Sequence, residues 1–237
     1  MISVRNLSFS YTRKPFIEKI DFEVTPGEIF GFLGPSGAGK STLQKILTGL
    51  LSGYQGSVIV NGCEVRHLNK GFYENIGVDF EFPSLYEKLT ARENLEFFAS
   101  LYKKHLDIDT LLEKVGLLYD SEKKVSDYSK GMKSRLNFIK ALLHDPQLLF
   151  LDEPTSGLDP SNARVMKDII LSEKSKGKTI ILTTHNMYDA TELCDHVAFI
   201  LNGEIKALDT PHNLIMSKGA SKITYTYLHE GNETESE

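Results

Sequence analysis

The first regular pattern along the chain is an alternation. Residues 6–12 place Leu7, Phe9 and Tyr11 on one side and Asn6, Ser8, Ser10 and Thr12 on the other, which is the two-residue period of a strand with one buried face. Ile20, Phe22 and Val24 repeat that period and run into the turn Pro26-Gly27. Residues 57–60 lead into Asn61-Gly62, a hairpin dipeptide, with residues 63–65 as the return strand. The N-terminal part is therefore expected to be largely antiparallel. From Thr90 the period lengthens. Thr90-Ala91-Arg92-Glu93 is a capping-box sequence ahead of Leu95, Phe98, Ala99 and Tyr102 at helical spacing. Leu111, Leu112, Val115 and Leu118 predict a second helix, and Leu136, Ile139 and Leu143 a third that stops at Asp145-Pro146. After this helical stretch come two short apolar runs, residues 148–151 and 179–184, separated by a helix ending near Gly177. Parallel strands buried on both faces read this way. Ile223, Tyr225 and Tyr227 alternate once more and leave room for a further strand.

These elements divide the chain into one domain, residues 1–217, followed by an extension, residues 218–237. Within the domain, residues 1–83 hold the antiparallel part, 84–145 a helical insert and 146–217 the rest of an α/β core. A length of 237 residues with 41% apolar and 25% charged side chains suits such a domain and is too short for two large catalytic ones. No apolar run, including residues 197–201, approaches the roughly 18 residues of a membrane span. No leader pattern opens the sequence, and Cys63 and Cys194 lie far apart, so a cytosolic, disulfide-free chain is expected. The net charge of −5 argues against bulk binding to nucleic acid or anionic lipid. Glu230, Glu233, Glu235 and Glu237 supply most of it from a tail expected to be solvated and without structure.

The chemistry begins at Gly34-Pro35-Ser36-Gly37-Ala38-Gly39-Lys40-Ser41-Thr42, which matches G-x-x-x-x-G-K-[ST]. An apolar strand-like run, residues 28–33, precedes it, and residues 43–50 read as a helix. Phosphate binding needs this order. Glycines let the loop curl so that successive N–H groups converge on phosphate oxygens, and the positive end of the following helix adds to the field. Lys40 would supply charge to the terminal phosphates and Ser41 a hydroxyl ligand for magnesium. Further on, residues 148–151 end in Asp152-Glu153-Pro154, two acids delivered to the edge where ligands bind in a parallel sheet. Asp152 is suited to hold magnesium opposite Ser41, and Glu153 to orient and deprotonate a water. Spacing alone leaves the division of roles between the two acids open.

Taken together, these residues resemble the ATP-binding subunits of ATP-binding-cassette (ABC) transporters over roughly residues 1–215. Tyr128-Ser129-Lys130-Gly131-Met132 stands where that family carries its signature, usually Leu-Ser-Gly-Gly-Gln. Ser156-Gly157-Leu158-Asp159 is similar to the family's D-loop, His185 to its switch histidine, Tyr11 to the aromatic that stacks on adenine, and Glu81 to the glutamine of the Gln-loop. The resemblance implies a P-loop NTPase fold with an antiparallel β subdomain and a helical insert. It also implies ATP and magnesium as cofactors, with Ser41, Glu81 and Asp152 around the metal and Glu153 and His185 as catalytic groups. Both variants, in the signature and at Glu81, look like those of bacterial export ATPases whose membrane subunits are separate chains.

The signature has its own physical logic. Ser129 reads as an N-cap that leaves Lys130, Gly131 and Met132 with free N–H groups at a positive helix end. By resemblance, Ser129 and Gly131 of the signature face the nucleotide of a second copy, where Lys130 would add charge, and Asp159 of the D-loop also binds nucleotide. Residues 82–94 would meet the membrane permease. The expected location is then the cytoplasmic side, peripheral on the inner face of the cell membrane, with no nucleic acid as partner. Two other classes stay open: a cassette ATPase without a membrane partner, as in iron–sulfur cluster assembly, and a regulatory subunit that binds ATP without hydrolysing it. Several residues also have plain structural readings. Tyr11 continues an inward alternation, Asp159 precedes Pro160 and could simply start a helix, and residues 82–94 could be an ordinary loop before a helix. The remaining histidines show no ligand spacing.

Overall fold

Strand β1 (Ile2–Phe9) buries Ile2 and Val4, then Leu7 and Phe9, so its inward phase slips by one residue midway. The slip is a bulge, with Asn6 at φ 49° and a register shift between Val4 and Leu7 against β2 (Ile17–Val24). This corrects the expected strand over residues 6–12. The alternation seen there is only the second phase of a strand that starts earlier and ends at Phe9. Tyr11 lies beyond it and is exposed, so it is not a core residue. The computed structural model describes residues 1–217, 225–229 and 232–236.

Strand β3 (Ile29–Leu33) is buried throughout and leads through the Gly-rich loop into α1 (Lys40–Leu47). Strands β4 (Gln55–Val60) and β5 (Cys63–Glu64) form the hairpin around Asn61-Gly62, but the return strand is shorter than expected because residues 65–67 turn into a 3-10 helix. A short helix, α2 (Lys70–Tyr73), precedes β6 (Ile76–Asp79). Three helices follow: α3 (Ala91–Ala99), α4 (Ile108–Lys114) and α5 (Lys130–Leu142). Helix α3 starts at the complete Thr90/Glu93 capping box and ends before Tyr102, whose ring stacks on His144 at 3.9 Å. Leu118 falls outside α4, in a 3-10 turn. The chain then alternates β7 (Leu148–Asp152), α6 (Pro160–Ser175), β8 (Thr179–Thr184), α7 (Met187–Leu193), β9 (His196–Leu201), β10 (Glu204–Asp209) and α8 (Pro211–Ser217).

Two sheets result. Strands β2-β1-β4-β5 are antiparallel, as the N-terminal pattern predicts, but β3 leaves them for a six-stranded sheet in the order β10-β9-β3-β8-β7-β6. Its strands pair in parallel except at the β10 edge. Alternate residues of the central strands serve two cores. Phe30, Phe32, Leu148 and Phe150 pack with the antiparallel sheet and α1, while Ile29, Leu33, Leu149 and Leu151 pack with α3, α4 and α5. Double burial explains the near-continuous apolar runs. In the extension, β11 (Tyr225–His229) pairs antiparallel with β12 (Asn232–Ser236), which corrects the expectation of a structureless tail at Glu233 and Glu235. Ile223, Glu230 and Glu237 lie outside the described residues.

Candidate functional site

Four neighbouring parallel strands deliver chemistry to one edge. In sheet order, β3 ends in the Gly-rich loop, β8 in His185, β7 in Asp152 and Glu153, and β6 leads to Glu81. Such an edge, at the carboxyl ends of parallel strands, is where ligands bind in open α/β sheets. A cleft there is lined by Phe16, Ser36, Gly37, Gly39, Lys40, Ser41, Thr42, Glu81, Glu153, Ser156 and His185.

The loop is shaped by close packing. A Cβ on Gly34 would stand 2.2 Å from the Ile200 carbonyl oxygen, and one on Gly39, at φ 113°, would stand 2.5 Å from Ile17 Cδ1. Gly37 has φ 80° and open space around it. Ala38 faces the core, its carbonyl accepting from Gly203 N at 3.1 Å, and Pro35 borders an apolar groove with Leu33, Met187 and Leu214. Helix α1 carries no side-chain cap, unlike α3, α5 and α6, and no acid in its first turn. Its first-turn N–H groups thus have no intrahelical acceptor and suit an anion. The buried Lys40 ammonium donates to the Gly34 carbonyl at 2.7 Å and the Pro35 carbonyl at 3.2 Å. It also lies 3.6 Å from Glu153 Oε1.

Ser41 Oγ donates to Asp152 Oδ1 at 3.2 Å, and the Thr183 hydroxyl donates to the same oxygen. Hard oxygen donors of this kind fit magnesium, which keeps few protein ligands and takes the rest from water and phosphate. Among the described residues no cluster of three or more His, Cys, Asp or Glu forms an all-protein cage. Glu153 sits at φ 54°, an uncommon region for a residue with a side chain, and its N–H is held by the Thr183 carbonyl at 3.1 Å and hydroxyl at 3.2 Å. Glu153 Oε2 lies 2.9 Å from His185 Nδ1. A carboxylate only accepts, so the proton of that bond belongs to the ring.

The other expected residues lie elsewhere. Tyr11 lines an adjoining cavity with Lys14, Phe16, Gly37 and Gly203; its hydroxyl is 3.0 Å from Thr42 Oγ1, and Phe9 and Phe16 meet its ring edge-on. Ser129, Gly131 and Asp159 do not line the cleft that holds Lys40. Ser129 is the N-cap of α5, but its hydroxyl accepts from Met132 N at 3.2 Å, so the Met132 amide is not free as expected. Asp159 caps α6 through Ser161 N and Asn162 N, both at 3.1 Å. Lys130 turns back toward Gly157, whose added Cβ would stand 3.2 Å from Nζ, and borders a second cleft with Glu81, Asp152 and Glu153.

This geometry coincides with known proteins. The family profile described as ABC transporter matches residues 17–156. The chain is 51% identical over 234 residues to the fluoroquinolones export ATP-binding protein of Mycobacterium tuberculosis, covering 98% of this chain and 78% of the relative. This chain belongs to the ABC transporter family. It is 39% identical over 231 residues to Nod factor export ATP-binding protein I of Rhizobium meliloti, covering 95% of this chain and 69% of that one. A solved structure described as the ATP-binding subunit of an ABC transporter superposes with a TM-score of 0.83 at 31% identity, covering 92% of this chain and 93% of that chain. As an ABC ATP-binding subunit it has the family's P-loop NTPase fold, and family membership carries ATP binding and hydrolysis with ATP and magnesium. No helix among the described residues is long and apolar enough to cross a membrane.

Sequence reading of the ABC subunit missed Thr183, Phe16 and Asp79. Thr183 hides in an apolar run, and only the β7–β8 register opposite Asp152 reveals it. Asp79 is buried at the end of β6 and bonds the Asn137 amide. Burial pushes its carboxyl up to about 7 against the pull of Lys140 and Asn137, with Asp152 adding to the rise. A lone acid closing a strand just before Glu81 was its only signal.

Proposed function

We propose that the chain is the ATP-hydrolysing subunit of an exporter whose membrane-spanning part is a separate chain. The observation that supports this best is the meeting of Lys40, Ser41, Glu81, Glu153 and His185 in one cleft. The first-turn amides of α1 and the Lys40 ammonium hold the terminal phosphates of ATP. Ser41 and Asp152 would hold magnesium, with Glu81 beside them, and the metal would supply charge neutralisation at the phosphate oxygens. Tyr11 stacks on adenine. Glu153 takes a proton from water as the water oxygen bonds to the terminal phosphorus; the bond to the bridging oxygen breaks, leaving ADP and phosphate. His185 holds Glu153 in place and faces the same phosphate.

Ser129, Lys130, Gly131 and Asp159 lie outside that cleft, which suits a role toward the nucleotide of a second copy arranged head to tail. ATP then favours the closed pair because it binds that state more tightly, and hydrolysis removes the preference. The exposed Phe82, Tyr86 and Phe97 suit contact with the membrane subunit. The relatives named for export of fluoroquinolones and Nod factor support the direction of transport. In the test, Glu153→Gln is mixed with ATP and magnesium and run on a sizing column beside the unaltered chain. Turnover should fall at least about a hundredfold and a nucleotide-bound dimer should accumulate. A variant that stays monomeric and hydrolyses normally sinks the mechanism. Failure to co-purify with any polytopic membrane protein would favour a cassette ATPase without a membrane partner.

A further inference from the structure

Glu153 and His185 come from different strands, yet their side chains meet at 2.9 Å although Glu153 holds an uncommon backbone conformation. Such a conformation is costly for a residue with a side chain and persists only where its surroundings enforce it. Two residues beyond Glu153, the Thr155 hydroxyl donates to Asp189 Oδ2 at 2.7 Å. Asp189 stands in the first turn of α7, the helix that Asn186 caps directly after His185. The same two segments, residues 153–155 and 185–189, are therefore tied twice, once by the catalytic pair and once behind it. Asp189 is buried, as is its partner Lys167 on α6, with Nζ 2.6 Å from Asp189 Oδ1 and 2.7 Å from Glu192 Oε2. Arg164 braces Glu192 from the other side at 2.9 Å, and the Tyr188 ring lies 5.1 Å from the ammonium. Burial alone would push Lys167 down, but its two carboxylates hold it above the ordinary lysine range. Buried charges are tolerated when each is paired and hydrogen-bonded, and the geometry they adopt is correspondingly well defined.

We infer that Thr155, Asp189 and Lys167 form a latch that positions Glu153 against His185. They are positioning residues, acting on the reaction through the general base and the switch histidine. The inference rests on the hydrolytic reading of the cleft, and its test keeps the two apart. Magnesium-dependent phosphate release is first measured for the unaltered chain with Glu153→Gln beside it; absence of release overturns the hydrolytic reading. Thr155→Val then removes the hydroxyl at nearly constant volume, while Thr155→Ser retains it. The expected result is about a tenfold loss in kcat for Thr155→Val with KM for ATP within about twofold, and recovery in Thr155→Ser. In a His185→Ala background the same substitution should change kcat by less than about twofold, because the contact it positions is already gone. Hydrogen exchange across residues 153–158, read on the same proteins, covers the case in which turnover is too low to compare. Faster exchange in Thr155→Val but not Thr155→Ser supports the latch. Unchanged kcat, a loss confined to KM, an undiminished effect without His185, or unchanged exchange overturns it.

Discussion

Two glycines of the nucleotide machinery are needed for opposite reasons. At Gly34 an added Cβ would strike the backbone oxygen of Ile200 at 2.2 Å, so the constraint is internal to the fold. Gly34→Ala should lower stability by about 1–3 kcal/mol, read as a drop in the thermal midpoint. At Gly131 the same carbon would meet only Leu158 Cδ2, at 3.5 Å, an ordinary contact, and the position lies in the first turn of α5. Alanine is the better helix former by about 1 kcal/mol. Gly131→Ala should therefore leave the thermal midpoint unchanged or slightly raised, yet abolish the ATP-dependent dimer of Glu153→Gln on a sizing column. A dimer that persists would show that no partner group approaches Gly131 closely. The residue scale is also where sequence and structure agree unevenly. The Gly-rich loop was legible because its chemistry lies in consecutive residues. Thr183 and the latch were not, since each depends on which strands and helices become neighbours. Tyr11 was misleading as core because β1 ends at Phe9, and a count of the alternation does not show where a strand stops.

At the scale of elements, the buried strands and the capping box at Thr90 could be read directly, because double burial and cap chemistry both leave local marks. Sheet order could not. That β3 abandons the antiparallel sheet to lie between β8 and β9 follows from burial of both its faces and from Gly31, where a Cβ would stand 2.6 Å from Cys194 Sγ. The end of α6 depends on charge in a way the sequence also concealed. Glu173 is buried and receives Lys176 at 2.5 Å and Lys178 at 2.6 Å. Burial opposes its ionisation, but the hydrogen bond from Lys176 and the charge of both lysines hold the carboxyl below the usual range. A carboxylate whose folded pKa is depressed stabilises the protein above its unfolded pKa of about 4.3, and that stability is lost as pH falls through the folded value. Glu173→Gln should cost about 3 kcal/mol at pH 7, since it leaves buried Lys178 with Asp145 alone. The gap to the unaltered chain should narrow below about pH 4. Denaturant midpoints at the two pH values check this; a gap that is constant with pH would remove the charge from the account.

For the whole molecule, the proposed coupling of hydrolysis to a membrane subunit needs a path out of the cleft. Glu81 lies in the cleft, and the segment that follows it carries an aromatic surface on the helical insert. Phe82 is 80% exposed, Tyr86 50% and Phe97 43%. Tyr86 meets the Phe97 ring edge-on at 5.0 Å and stacks on Phe98 at 5.9 Å, while Lys140 Nζ lies over the Phe98 ring at 4.8 Å. Tyr86 and Phe97, half exposed and braced by each other's packing, form the kind of patch that marks an interaction site. They are anchored to the site from beneath: Asn94 holds the Tyr86 amide at 2.8 Å, and Asn137 holds the Ser84 amide at 3.3 Å while also bonding Asp79 at the end of β6. A rigid connection thus runs from the sheet edge that carries Glu81 to the exposed aromatics. If the patch receives the membrane subunit, Tyr86→Ser with Phe97→Ser should leave phosphate release by the free chain within about twofold, because neither residue lines the cleft. The same pair should abolish co-purification with the membrane subunit and the rise in turnover that assembly brings. Losing two buried aromatic anchors costs about 2 kcal/mol or more each at a typical interface, enough to weaken binding about a thousandfold. Retained co-purification would place the docking surface elsewhere, and lost hydrolysis in the free chain would mean that the aromatics support the cleft itself.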